Sequence, residues 1–210
     1  YEDGRRPRQV AFENDPKQDV LRRDFTINAL LYDIENDTVI DFVNGKRDVF
    51  EGIVRAIGDP ERRFGEDHLR MLRAVRFAAR LGFSIEPGTM AAIQKLHASI
   101  GRVSAERVRD ELTRILTEGG ARRGLELLEE SRLLGDVLPE VRALREVEQP
   151  PEFHPEGDVW THTLMMLDGL RPPVTTELAW GVLLHDIGKP GTFRRAPDRI
   201  RFDGHVELGL

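Results

Sequence analysis

Cysteine does not occur anywhere in the 210 residues. Its absence excludes disulfides, zinc ribbons and thiol catalysis, and it fits a reducing compartment such as the cytoplasm. No apolar run approaches the roughly 18 residues that a membrane-spanning helix needs, so no membrane partner is expected. No basic segment leading into an apolar stretch opens the chain, so no secretory signal is expected. A positive charge balance is also missing. Lys and Arg total 31 against 37 Asp and Glu, a formal charge of -6. That excludes coating nucleic acid through overall basicity and leaves local basic clusters open. There are no internal repeats and no low-complexity tract. The first residue is Tyr1 rather than methionine, Tyr1 to Arg8 reads as a polar loop, and the last residues stop as a helical pattern begins. An internal piece of a longer protein is therefore expected.

The composition that remains is that of a core-forming chain. Apolar residues make up 40% and charged residues 32%. This is too apolar for long disorder and charged enough for many exposed helical faces. Residues 9–13 read as a short strand. Asp24 to Asp33 carries Phe25, Ile27, Ala29, Leu30 and Leu31, which predicts a helix with Asp24 near its N-cap. Thr38 to Val43 reads as a strand stopped by Asn44-Gly45, and Val49 to Ile57 as a further extended piece. After Asp59-Pro60 the pattern turns helical. Helices are predicted over Glu66 to Leu81, Pro87 to Ile100, Ser104 to about Leu116 and Ala121 to Glu130, with a short piece at 133–138. Gln149-Pro150-Pro151 marks a corner. Helices at Val159 to Leu170 and Leu178 to Asp186 follow, then a strand near Arg199 to Phe202. The fold class is α+β, mostly α.

Three constellations carry chemistry. In Arg22-Arg23-Asp24-Phe25-Thr26-Ile27-Asn28-Ala29, two guanidiniums precede a carboxylate. Arginine suits bidentate phosphate contact, and Asp24 can accept from ribose hydroxyls. An N-capped surface helix with solvated arginines explains the same residues. In Glu66 to Phe77, helical spacing puts Met71, Leu72, Val75, Ala78 and Ala79 on one arc and Asp67, Arg70, Arg73 and Arg76 on the other. An Asp67–Arg70 pair at i, i+3 is either an exposed salt bridge or a base-reading edge. As a base-reading edge, the carboxylate accepts from an exocyclic amine while the guanidinium donates to a ring nitrogen, as a pairing partner of cytosine or adenine does. The third constellation is His162, His185-Asp186 and His205, with Lys189 nearby and His154 opening the segment. Four of the six histidines fall here, a set suited to a divalent metal or a phosphate.

These motifs together resemble the class II tRNA nucleotidyltransferases, the CCA-adding family of the DNA polymerase β-like superfamily, over nearly all of the chain. Residues 22–29 resemble the family's ribose motif, and Asp41-Phe-Val-Asn-Gly-Lys-Arg-Asp48 its head-to-neck segment. Glu66-Asp-His-Leu-Arg70 with Arg73 and Arg76 resembles its amino-acid template for the incoming nucleotide. Val103 to Leu112 resembles a later neck helix, and residues 153–210 the start of an HD domain. The resemblance implies the C-terminal part of a polymerase-β-like α/β head at 1–58, a helical neck at 59–148 and the beginning of an all-α HD domain at 149–210. It implies that Arg23, Asp24, Asn28, Asp67, Arg70, Arg73 and Arg76 bind nucleotide, and that His162, His185, Asp186 and His205 bind a divalent metal. It implies a parent that adds CMP, AMP or both from CTP and ATP to the tRNA 3′ end with Mg2+. Bacterial poly(A) polymerase and a metal-dependent HD phosphohydrolase are the alternatives, with a non-catalytic tRNA-binding piece as a third. The family's Gly-Gly phosphate loop and paired metal carboxylates lie before the ribose motif. Residues 1–21 supply neither, since Asp15 and Asp19 are four apart. Two-metal transfer needs carboxylates holding ions about 4 Å apart, so residues 1–210 alone are expected not to catalyse it.

Overall fold

Asp15 and Pro16 begin the first helix. The Asp15 carboxylate accepts from the Lys17 amide at 2.9 Å, and the proline fills the first position of α1 (Pro16–Arg22), where no amide is needed. The computed structural model describes residues 15–209, so the strand expected over 9–13 lies outside it. The helix expected over 24–33 is corrected: it ends before Asp24 instead of starting there. Phe25 is extended and bridges Ala56, Thr26 donates its amide to the Arg55 carbonyl at 3.0 Å, and Ile57 donates to the Asp24 carbonyl at 3.1 Å. A 3-10 turn (Thr26–Asn28) follows, then β1 (Leu31–Asp33), antiparallel to β2 (Thr38–Ile40) with Leu31 opposite Ile40. Pairing with a segment about thirty residues onward thus overrides the local helical spacing.

The expected 38–43 strand stops at Ile40, and the start of the expected 49–57 piece lies in a helix, α2 (Gly45–Glu51). Both Asp41 oxygens gather the amides of Val43, Gly45 and Lys46 and turn the chain into it. Asp48 is buried and takes the Thr26 hydroxyl at 2.6 Å and Arg55 Nε at 3.1 Å, tying α2 to the 3-10 turn. β3 (Ile53–Val54) pairs in parallel with β4 (Ser84–Ile85).

The helix expected over Glu66 to Leu81 divides into α3 (Pro60–Glu66) and α4 (Arg70–Leu81), with Asp67 extended between them. The Asp67 carboxylate accepts from the Leu69 amide at 3.1 Å, the local bonding by which aspartate competes with helix. Then come α5 (Pro87–Leu96), a 3-10 stretch (His97–Arg102), α6 (Ala105–Thr117), α7 (Ala121–Glu130), α8 (Leu134–Val137) and α9 (Pro139–Arg142). The chain continues through α10 (Val159–Asp168), α11 (Thr176–Leu184), α12 (Lys189–Thr192), β5 (Arg194–Arg195) antiparallel to β6 (Ile200–Arg201), and α13 (His205–Gly209).

The core is built around α4. Met71, Leu72, Val75 and Ala78 are buried with Leu112 and Ile115 of α6 and with Leu125 and Leu128 of α7. Each large side chain fully buried this way contributes about 1.5–3 kcal/mol. Gly120 precedes α7 at φ +76°, and a Cβ there would overlap the Ala79 carbonyl, so the close approach of α7 to α4 requires glycine. Val159, Leu164 and Leu183 join the same cluster, so α10 and α11 share this core.

Candidate nucleotide cleft and histidine cluster

A cleft of about 560 Å³ opens where the turn after α1, the α3–α4 break, the first turns of α4 and one face of α6 converge. It is lined by six arginines and four carboxylates (Arg22, Arg23, Arg70, Arg73, Arg107 and Arg114 with Asp24, Asp67, Asp110 and Glu111). In a chain of charge -6, this local surplus of guanidinium favours a polyanion such as a triphosphate.

Asp24 lies buried on the cleft wall. Its Oδ2 accepts from Arg73 Nε at 2.6 Å, and its Oδ1 from Asn28 Nδ2 at 2.6 Å and the Phe25 amide at 3.1 Å. Burial works against its ionisation, but the Arg73 charge and these hydrogen bonds outweigh it and hold the carboxyl below its ordinary value. Arg23 donates to Asp19 at 2.9 Å and to the Asn28 carbonyl at 2.9 Å. Asp67 and Arg70 both line the cleft, but Asp67 lies in the extended break between α3 and α4 while Arg70 opens α4, so the expected pair on one helix is corrected. Asp67 Oδ2 accepts from Arg107 Nη2 at 2.8 Å. Arg70 Nη1 donates to Glu66 at 2.8 Å and to the Arg63 carbonyl at 2.9 Å, and its Nη2 to the Arg22 carbonyl at 3.5 Å.

Of the seven expected nucleotide residues, the structure brings Arg23, Asp24, Asn28, Asp67, Arg70 and Arg73 to this cleft. Arg76 lies elsewhere. It is buried and donates to Glu111 at 2.7 Å and Glu118 at 3.2 Å, binding α4 to α6, with its guanidinium 4.4 Å over the Phe77 ring. Sequence reasoning missed Arg107, which holds Asp67 from α6. The signal was the run Arg107, Asp110, Glu111 and Arg114 at helical spacing, which reads equally as a solvated face.

The histidine constellation assembles around α10 and the end of α11. Asp158 caps α10 through the Thr161 amide at 2.8 Å. His162 and His185 have ring centroids 5.5 Å apart, and His162, His185 and Asp186 form a group able to hold a metal ion. His185 Nδ1 donates to the Val182 carbonyl at 2.8 Å and turns Nε2 toward Asp186 at 3.1 Å. Lys189 Nζ donates to Asp186 at 2.7 Å and to Gln149 Oε1 at 2.7 Å. Burial opposes ionisation of Asp186, yet the His185 and Lys189 bonds prevail and lower it to about 2. The Asp186 hydrogen bond raises His185 against its own burial. His205 is not in this group or in the other group of potential metal ligands found among the described residues; its Nδ1 donates to the Phe202 carbonyl at 2.8 Å. Glu156, which sequence reasoning missed because it sought only His and Asp, accepts from His154 at 3.0 Å and His162 at 2.6 Å. A backbone hydrogen bond and these two imidazoles hold it at about 2.

Two family models match the sequence, the poly A polymerase head domain over residues 1–55 and the probable RNA and SrmB-binding site of polymerase A over residues 82–144. The multifunctional CCA protein of Halorhodospira halophila is 43% identical over 92% of this chain and 47% of its own length. The CCA-adding enzyme of Pediococcus pentosaceus is 48% identical over 60% of this chain and 32% of its own length. The chain thus spans less than half of either relative. Among solved structures, the Bacillus stearothermophilus CCA-adding enzyme in complex with CTP superposes with TM-score 0.64 and 32% identity, covering 85% of this chain and 42% of that one. A tRNA nucleotidyltransferase complexed with a primer tRNA and an incoming ATP analog gives TM-score 0.56 and 27% identity, covering 77% and 52%.

Proposed function

We propose, given that the chain belongs to the class II family of CCA-adding enzymes and poly(A) polymerases, that its cleft holds the nucleotide a tRNA nucleotidyltransferase adds to the tRNA 3′ end. The carrying observation is that Asp24, Asp67, Arg70 and a surplus of arginines line one cavity. The two relatives described above are a multifunctional CCA protein and a CCA-adding enzyme, which favours a tRNA end as acceptor. The related structures with CTP and with an ATP analog favour cytosine and adenine nucleotides.

Each residue has a chemical task. Asp24, ionised and fixed by Arg73 and Asn28, accepts from a ribose hydroxyl. Asp67 accepts from the exocyclic amine of cytosine or adenine, and Arg107 sets its orientation. Arg70, anchored at Nη1 by Glu66 and the Arg63 carbonyl, exchanges its long Nη2 contact with the Arg22 carbonyl for a hydrogen bond to the adjacent ring nitrogen. Arg22, Arg23, Arg73 and Arg114 balance phosphate charge. Residues 1–58 then act as the back of the nucleotide head, 59–148 as the neck that reads the base, and 149–210 as the beginning of an HD domain with a divalent cation around His162. The compartment is the reducing cytoplasm.

The family implies dependence on Mg2+. Within this chain Asp15 caps α1 and Asp19 is paired with Arg23, so they do not make a two-ion carboxylate pair, and no step here passes through the ion. The proposal is tested by supplying residues 1–210 with labelled CTP or ATP, tRNA and Mg2+. No label should enter the tRNA. Incorporation by this chain would show that the catalytic carboxylates lie within it. In a longer form that carries a Gly-rich loop and paired carboxylates, Asp67→Ala or Arg70→Ala should slow incorporation by about one to two decades, the ~1.5–3 kcal/mol of a hydrogen bond to a charged group.

A further inference from the structure

A second cavity, of about 640 Å³, opens between α6 and α11. Arg109, Asp110, Thr113 and Arg114 of α6 line it together with Thr176 and Trp180 of α11. Asp110 and Arg114 also line the nucleotide cleft, so the two cavities adjoin along one i, i+4 ridge of α6. An α-helix with its side chains is about 10–12 Å across. A few consecutive unpaired nucleotides are long enough to run from one cavity to the other.

Trp180 is held in place before anything binds. Its Nε1 donates to the Thr113 hydroxyl at 3.0 Å, and that hydroxyl donates to the Arg109 carbonyl at 2.8 Å. The indole is half-buried against the core. A ring fixed in this way loses little conformational freedom when another ring stacks on it. Arg109 and Arg114 are exposed. Arg109 pairs with Asp110 at 3.2 Å and Arg114 reaches Glu111 only at 3.7 Å, so either can turn to a phosphate. An apolar protein segment laid over Trp180 would strip water from both guanidiniums without supplying an anion. A nucleic-acid strand supplies a base and a phosphate together.

We infer that Trp180 is a stacking platform for an unpaired base of the RNA acceptor, a few nucleotides before the 3′ end that enters the nucleotide cleft, with Arg109 and Arg114 on its phosphates. The inference rests on the reading of the cleft as the place of nucleotide addition. It makes Trp180 a positioning residue, because a strand held at one cavity arrives at the other with its 3′ hydroxyl in a set place. Stacking reads no hydrogen-bonding edge, so the platform accepts any base. That suits an acceptor whose terminal bases change with each addition.

The test is the affinity of residues 1–210 for a labelled RNA hairpin with a short unpaired 3′ tail, read by fluorescence anisotropy. Trp180→Leu keeps an apolar side chain without an aromatic face and should weaken binding at least about fivefold, whereas Trp180→Phe should restore most of it. Replacing one tail nucleotide at a time by an abasic residue should cause a comparable loss at one position in the wild type, and no further loss there in Trp180→Leu. CTP affinity should be the same in the wild type and both variants. CTP binding that is indifferent to Asp67→Ala would count against the cleft reading alone, so the two failures are distinguishable. Melting curves identify a variant that fails to fold, and the abasic series in the wild type then serves by itself. No binding of the hairpin, unchanged RNA affinity in folded Trp180→Leu, an equal loss in Trp180→Phe, or an abasic series without a preferred position would overturn the assignment.

Discussion

Asp24 shows how one side chain gains a role that its local sequence leaves open. A helix cap and a ribose acceptor both explain an aspartate after two arginines. The structure removes the cap, because α1 ends before Asp24 and the carboxylate bonds to Arg73, 49 positions away. The acceptor role and the ion pair with Arg73 each have a measurable consequence. Asp24→Ala should reduce the preference of the chain for CTP over dCTP, read as the ratio of their dissociation constants. The second consequence is a pH dependence. The native carboxyl titrates below its ordinary value, so its contribution to stability is present above an unfolded pKa of about 3.9 and fades as pH falls through the lower native value. The difference in Tm between the wild-type chain and Asp24→Asn should therefore narrow as pH is lowered from about 5 toward 2. A difference that stays constant or widens would contradict the ionised pair.

Helices α4 and α6 carry much of the chemistry, and their sequences disclose it unevenly. The apolar arc of α4 was legible because Met71, Leu72, Val75 and Ala78 recur at helical spacing and all become buried. The polar arc was not, because periodicity gives direction and not partners. It put Arg76 with Arg70 and Arg73, whereas Glu111 on α6 and Glu118 just past its end draw Arg76 into the helix interface. The break at Asp67 was hidden for a related reason: a side chain bonding to its own neighbouring amide competes with helix without changing the apolar pattern. Arg76→Ala should leave Glu111 buried with only longer contacts to Arg73 and Arg114. Breaking such a buried pair costs about 3–5 kcal/mol, to be read from urea unfolding, while CTP affinity should change little. Weaker CTP binding at unchanged stability would return Arg76 to the nucleotide cleft.

Across the chain, the helical array from residue 60 onward was largely readable, and so was the presence of a basic site in an acidic protein. The α/β part was read less well. Its extended segment at 24–26 is fixed by partners at 55–57, an association that no local window contains. The histidine cluster was found through its histidines and missed its glutamate. The cleft itself depends on three distant stretches, 22–28, 67–73 and 107–114, meeting around α4. If Asp67 and Arg70 read a base edge there, the site distinguishes bases by the group at the amine position. Cytosine and adenine offer a donor to Asp67, whereas uracil offers an oxygen that the carboxylate repels. The most direct measurement is the dissociation constant of CTP against that of UTP for residues 1–210, in the wild type and in Asp67→Ala. CTP should bind the wild type at least about tenfold more tightly than UTP, and Asp67→Ala should bring the two close together. Equal binding of CTP and UTP by the wild type, or a ratio that Asp67→Ala leaves unchanged, would contradict it.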